Sequence, residues 1–152
     1  MANLRALIID DQAVVRNALR RLLTAAGVET VAEAHNLPDA IHKARKFNPD
    51  IVILDATLPD SPGLTPLQAF AEIMPQTPIL YLGADPDTLY ADQALQAGAT
   101  YYIAKEDLDS QLSPFLSQLE QANSGDSRST LGRNDRRAQQ DTLRIRPIAN
   151  HS

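Results

Sequence analysis

Along the first 120 residues, short aliphatic runs alternate with segments of helical period. Leu4-Arg5-Ala6-Leu7-Ile8-Ile9 reads as a buried strand, and Val14, Val15, Ala18, Leu19, Leu22 and Leu23 then recur at helical spacing until Gly27 supplies a stop. Thr30 to Ala34 predicts a second strand. The helix after it carries Ala40, Ile41 and Ala44 and ends before Asn48-Pro49, because the residue preceding a proline is steered away from helical dihedrals. Ile51-Val52-Ile53-Leu54 is the third and most apolar strand, and a loop with Pro59, Pro62 and Gly63 leads to a helix bearing Leu67, Phe70, Ala71 and Met74 that Pro75 closes. Ile79 to Leu82 is a fourth strand, Leu89 to Ala97 a fourth helix closed by Gly98, and Tyr101 to Ile103 a fifth strand. A last helix spans about Leu108 to Gln121. Pro114 inside it would remove a hydrogen bond and clash with the preceding turn, so the alternative is a start at Ser113 with Pro114 in the first turn.

Strict alternation of five strands with five helices argues for a parallel sheet covered on both faces, since parallel neighbours need crossover helices of right-handed sense. The expected fold class is α/β, a flavodoxin-like (βα)5 three-layer sandwich with strand order 2-1-3-4-5. In such sheets a ligand sits beyond the carboxyl ends of the strands, where the winding reverses.

Composition narrows the classes. The 152 residues are 43% hydrophobic and include no cysteine, which excludes disulfides, thiolate metal sites and cysteine nucleophiles. The opening residues run quickly into Asp10 and Asp11, unlike a signal peptide, and the longest aliphatic run is far short of the roughly 20 residues a bilayer requires. A cytoplasmic protein is expected. Charge divides the chain: residues 1–120 carry 8 Lys and Arg against 16 Asp and Glu, whereas residues 121–152 carry 6 Arg against 3 Asp. Two segments are therefore expected, a domain over 1–122 and a polar, Arg-rich, disordered tail over 123–152 that lacks the apolar period needed to offset its ordering entropy.

Chemistry concentrates at the strand ends. Asp10 and Asp11 end the first strand, Asp55 the third, Gly83-Ala84 follow the fourth, and Lys105 follows the fifth. In the order 2-1-3-4-5 the first and third strands are adjacent, so three carboxylates share one crevice with Lys105 beside it, and their repulsion calls for a cation. An all-oxygen ligand set suits Mg²⁺. Each residue also has a plainer reading: Asp11 as a helix N-cap, Lys105 as a solvated cation, Gly83 as a tight turn, Tyr102 as a half-buried strand aromatic. His35 and His42 read as surface polar residues.

The stretches Leu7-Ile8-Ile9-Asp10-Asp11, Pro49 to Asp55 with Leu58-Pro59 and Gly63 behind it, and Gly98-Ala99-Thr100-Tyr101-Tyr102-Ile103-Ala104-Lys105 resemble receiver domains of two-component response regulators over about residues 1–120. The last run is most similar to receivers that precede a DNA-binding helix-turn-helix domain, the LuxR-type subfamily. The resemblance implies that Asp55 accepts a phosphoryl group from a sensor histidine kinase or a small acyl phosphate. It also implies that Asp10, Asp11, Asp55 and the Thr57 backbone carbonyl hold Mg²⁺, and that Lys105 contacts the phosphoryl oxygens. Such a domain catalyses only its own modification and dephosphorylation and acts as a switch. Its output is expected through the face of the fourth helix, fifth strand and fifth helix, toward a downstream protein and with homodimerisation open.

Two departures qualify the likeness. Where the family usually has Ser or Thr followed by Ala, this chain has Gly83-Ala84, so the hydroxyl that draws the loop toward the phosphoryl group is missing, while Tyr102 keeps the aromatic switch position. The lost hydrogen bond is worth on the order of 1–3 kcal/mol, which weakens or alters the bias toward an active state. Residues 123–152 are also too short and polar for a DNA-binding output module, and their six arginines with interspersed Asp and no aromatics argue against nucleic acid as a partner. A phosphorylation-independent pseudo-receiver that serves only as an interaction module is the alternative. An aspartyl-phosphate hydrolase of the haloacid dehalogenase type fits worse, because the place of its second Asp holds Thr57.

Overall fold

Five strands, β1 (Arg5–Ile9), β2 (Glu29–Ala34), β3 (Ile51–Asp55), β4 (Ile79–Gly83) and β5 (Tyr101–Ala104), pair in parallel in the order β2-β1-β3-β4-β5. Between and after them run α1 (Ala13–Ala25), α2 (Leu37–Phe47), α3 (Thr65–Ile73), α4 (Thr88–Ala97), a single 3-10 turn (Lys105–Asp107) and α5 (Leu108–Ser124). The computed structural model describes residues 4–59, 61, 63–84 and 88–124. The flavodoxin-like architecture is as expected, and the tail assigned to residues 123–152 lies outside the described residues from position 125 onward.

Strand periodicity builds two cores. Side chains alternate across a sheet, so Ala6, Ile8, Ile51, Ile53, Leu80, Leu82, Tyr101 and Ile103 face one side with Leu19 and Leu23 of α1 and Leu112, Phe115 and Leu116 of α5. Leu7, Ile9, Val52, Leu54, Ile79, Tyr81 and Tyr102 face the other, against Ala40 and Ala44 of α2, Leu67 and Phe70 of α3, and Ala91, Ala94 and Leu95 of α4. Burial of β3, β4 and β5 on both sides explains why they read as unbroken apolar runs.

Helix ends follow local chemistry. Asn36 caps α2, its side chain accepting from the Asp39 N–H at 2.8 Å, and Asn48 ends that helix in the left-handed region at φ 50°. Gly98 adopts φ +125° after α4, and a β-carbon there would come within 2.6 Å of the Ala71 β-carbon on α3, so two helices meet where residue 98 has no side chain.

The expected alternative start of the last helix at Ser113 is corrected: α5 begins at Leu108 and passes through Pro114. Packing decides this. Leu108, Leu112, Phe115, Leu116 and Leu119 form one buried stripe, and breaking the helix at Pro114 would unseat its first members. Ring and missing N–H still cost the Ser110 carbonyl its helical partner, on an exposed face where water can serve it. Pro114→Ala is therefore expected to raise stability by roughly 1–3 kcal/mol in urea unfolding, since the position is exposed and no packing is lost.

Candidate functional site

β1 and β3 run side by side with Ile9 opposite Leu54, so the residues that follow, Asp10 and Asp55, leave neighbouring strands at one level. Both are buried in the mouth of the sheet, at 0% and 1% exposure, while Asp11 is exposed. One carboxylate oxygen from each of Asp10, Asp11 and Asp55 lies within 4.8 Å of the others. Lys105, in the 3-10 turn after β5, extends its ammonium to Asp55 Oδ1 at 3.0 Å and Asp10 Oδ2 at 3.4 Å. The four charged residues expected at the strand ends thus share one crevice.

Each acid is held by its own loop. Asp10 Oδ1 accepts from the Gln12 N–H at 2.9 Å, which turns the chain into α1. The cap reading of Asp11 is not supported: the N-cap position is Gln12, and it makes no side-chain cap bond. Asp55 Oδ1 accepts from the Thr57 N–H at 3.1 Å and the Thr57 hydroxyl at 3.0 Å, an Asx-type turn that fixes the carboxylate well before α3 begins. Spacing two residues after an acid was the signal for this role of the Thr57 side chain, which sequence reasoning assigned only to the backbone carbonyl.

Arg16 is a second residue the sequence did not single out. Its Nη1 donates to the Asp10 backbone carbonyl at 2.7 Å while its Nε pairs with Glu33 Oε1 on β2 at 3.2 Å, and Glu33 also pairs with Arg20. The guanidinium so ties the end of β1 to the neighbouring edge strand. A lone arginine on the polar face of an amphipathic helix carries no sequence mark of such a contact.

Electrostatics favour a cation here. Burial, with the Asp55 charge adding, holds the Asp10 carboxyl above its ordinary range despite the Gln12 N–H and Lys105. Burial opposes the Lys105 charge, but Asp55 and Asp10 together outweigh it and raise its pKa. Asp10 Oδ2 is buried and has the Lys105 ammonium at 3.4 Å as its ion-pair partner, with no tighter hydrogen bond. One oxygen donor from each of the three carboxylates, with Asp11 open to solvent, fits a hard divalent ion such as Mg²⁺ that keeps part of its water shell.

Gly83 closes β4 one residue beyond the register partner of Asp55, and Ala84 follows it. Tyr102, 3% exposed, packs on β4 beside Gly83, and its ring lies 6.4 Å from Tyr81 and 5.8 Å, edge on, from Tyr90 of α4. Its reading as a half-buried aromatic is thereby corrected to a buried one. Both His35 and His42 are exposed, as expected.

A doubly wound parallel sheet with an acidic pair after β1, an acid closing β3 and a lysine after β5 defines the signal-receiving class of α/β module. A profile of the response regulator receiver domain matches residues 6–114, and the chain belongs to that family. It is 37% identical over 101 residues to the chemotaxis protein CheY of Bacillus subtilis, an alignment covering 66% of this chain and 84% of that protein. It is also 38% identical over 109 residues to a protein-glutamate methylesterase/protein-glutamine glutaminase of Archaeoglobus fulgidus, covering 68% of this chain but only 30% of the relative's length. Among solved structures it is similar to a LuxR-family two-component response regulator from an Aurantimonas species, with TM-score 0.71 and 29% identity over 78% of this chain and 86% of that one. Receiver domains are signalling modules that interact with histidine kinases and downstream targets. No described helix is long and apolar enough to cross a membrane.

Proposed function

We propose that this chain is a Mg²⁺-dependent phosphoryl acceptor of a cytoplasmic phosphorelay, with Asp55 as the modified residue. The observation that carries the reading is the Lys105 ammonium 3.0 Å from a buried Asp55 carboxylate, with oxygens of Asp10 and Asp11 within 4.8 Å of it. A carboxylate oxygen of Asp55 donates an electron pair to phosphorus, the phosphorus–nitrogen bond of a kinase phosphohistidine breaks, and the released pair stays on the imidazole nitrogen, which takes a proton from solvent. A small acyl phosphate serves equally, with a carboxylate leaving. The Thr57 N–H and hydroxyl orient the attacking group, and Lys105 neutralises charge as the new bond forms. Asp10, Asp11, Asp55 and the Thr57 backbone carbonyl would hold Mg²⁺, which supplies positive charge for the phosphoryl oxygens.

Gly83-Ala84 and Tyr102 form the switch region, and output runs through the face of α4, β5 and α5 to a downstream protein or a second copy. Residues 1–122 are the receiver and 123–152 a separate polar tail. Mass spectrometry of the chain after acyl-phosphate treatment tests the reading: a single phosphoryl adduct on the Asp55 peptide is expected with Mg²⁺ and none with chelator. An adduct elsewhere overturns the acceptor assignment. No adduct under either condition favours the second reading, a phosphorylation-independent pseudo-receiver, which Gly83 motivates because the usual hydroxyl of that position is missing.

A further inference from the structure

Arg16 and Glu33 lie outside the acidic cluster, yet both converge on the backbone that carries it. Gln12 is the N-cap residue of α1 and its carbonyl accepts from the Arg16 N–H at 3.1 Å, so Arg16 stands one turn into the helix. Helical side chains lean toward the amino terminus, which carries the guanidinium back over the first turn to the Asp10 carbonyl, 2.7 Å from Nη1. Glu33, the register partner of Ile8 on β2, receives the Arg16 Nε at Oε1, and its Oε2 pairs with Arg20. The Glu33 carbonyl in turn accepts from the Lys43 ammonium of α2 at 2.6 Å.

Asp10 is thereby clamped to β2 through both of its backbone polar groups. Its N–H donates to the Ala34 carbonyl at 3.0 Å, and its carbonyl is tied to Glu33 through Arg16. The peptide joining Asp10 to Asp11 is planar, so pinning its oxygen fixes the direction in which the chain leaves Asp10. That matters most for Asp11. Burial holds the Asp10 and Asp55 side chains in place, whereas Asp11 is exposed and keeps its position in the cluster only as well as its backbone is held.

We infer that Arg16, held by Glu33, is a positioning residue for the cation site: it sets the peptide between Asp10 and Asp11 so that the Asp11 carboxylate meets those of Asp10 and Asp55 around Mg²⁺. This rests on the reading of the acidic cluster as a Mg²⁺ site. Groups that orient metal ligands from behind change metal affinity by about 10- to 100-fold when they are removed. A guanidinium near a divalent cation also repels it, and the Glu33 charge offsets that repulsion, so the positioning and the field of Arg16 act with opposite signs. Positioning predicts that loss of Arg16 weakens Mg²⁺ binding. Repulsion alone predicts that it tightens.

Mg²⁺ titrated into the full chain by calorimetry, with the melting temperature recorded in chelator, tests this. Wild type is expected to bind, Arg16→Gln about tenfold more weakly, and Glu33→Gln more weakly by a smaller factor. The double variant should be no weaker than Arg16→Gln alone, since Glu33 acts through Arg16. Arg20→Gln, which removes an equal charge that shares Glu33, is expected to bind like wild type. In the metal-free protein, amide hydrogen exchange at Gln12, whose N–H bonds Asp10 Oδ1, should quicken in Arg16→Gln and not in Arg20→Gln. Wild-type affinity in Arg16→Gln at a lowered melting temperature makes the residue merely structural and overturns the role. Tighter binding, unchanged exchange at Gln12, additive losses in the double variant, or an equal loss in Arg20→Gln does the same. Should Arg16→Gln fail to fold, Glu33→Gln carries the test, and wild-type affinity there overturns the role. Failure of wild type to bind instead overturns the Mg²⁺ reading and the inference with it.

Discussion

Asp55→Asn is expected to cut phosphoryl uptake from an acyl phosphate or a phosphorylated kinase to below about a hundredth of wild type, because the amide presents no nucleophilic oxygen and no charge. The substitution is isosteric, and the amide oxygen can still accept from the Thr57 N–H and hydroxyl, so the loop after β3 should keep its turn. Lys105 retains Asp10 as a partner. Loss of labelling with an unchanged circular dichroism spectrum would therefore reflect chemistry, not unfolding. Radiolabel incorporation at wild-type level would move the acceptor to another residue.

Asp10→Asn is expected to separate metal binding from folding. Wild type held at 100 times its Mg²⁺ dissociation constant gains about 2.7 kcal/mol of stability, and the variant should lose most of that gain because a carboxylate of the acidic cluster becomes a neutral amide. Without metal the variant should be more stable than wild type at neutral pH. The sign follows from linkage. Burial raises the folded-state pKa of Asp10 above its ordinary value of 3.8, so the folded protein holds this proton more tightly than the unfolded chain. Its contribution favours folding below the unfolded pKa, diminishes as pH rises from 3.8 through the raised value, and reaches its least favourable level once the group is ionised. Asparagine mimics the protonated form and is spared that decline, while Gln12 keeps an oxygen acceptor. Denaturant unfolding across that pH range, with Mg²⁺ and with chelator, checks both halves. A variant destabilised without metal would mean that Lys105 depends on this carboxylate more than the carboxylate suffers from burial.

Much of this was legible in the chain because strands buried on both faces announce themselves. Ile51 to Leu54 and Ile79 to Leu82 are apolar without alternation, and only a doubly covered sheet makes use of that. Once the strand order was fixed, the convergence of Asp10, Asp11, Asp55 and Lys105 followed from topology alone. Where residues far apart compete for one space, the sequence was silent. Pro114 looked like a boundary because local propensity opposes it, yet the stripe from Leu108 to Leu119 outweighs one missing hydrogen bond. Gly83 read as a deletion, whereas the ring that fills its side-chain volume comes from 19 positions later and is visible only in packing. The Arg16 bond to the Asp10 carbonyl was hidden for the same reason.

The close approach at Gly98 has a mechanical consequence. With residue 98 seated against Ala71, the carboxyl-terminal end of α4 has no slack toward α3, and the helix is a lever fixed at that end. Ten residues at 1.5 Å each make an arm of about 15 Å. A pivot of a few degrees at the fulcrum is thus negligible at Ala97 and approaches an ångström at the opposite tip, where Tyr90 rests edge on against Tyr102. Any tilt of this helix would therefore be felt at the Tyr90–Tyr102 contact before it is felt where α4 meets α3.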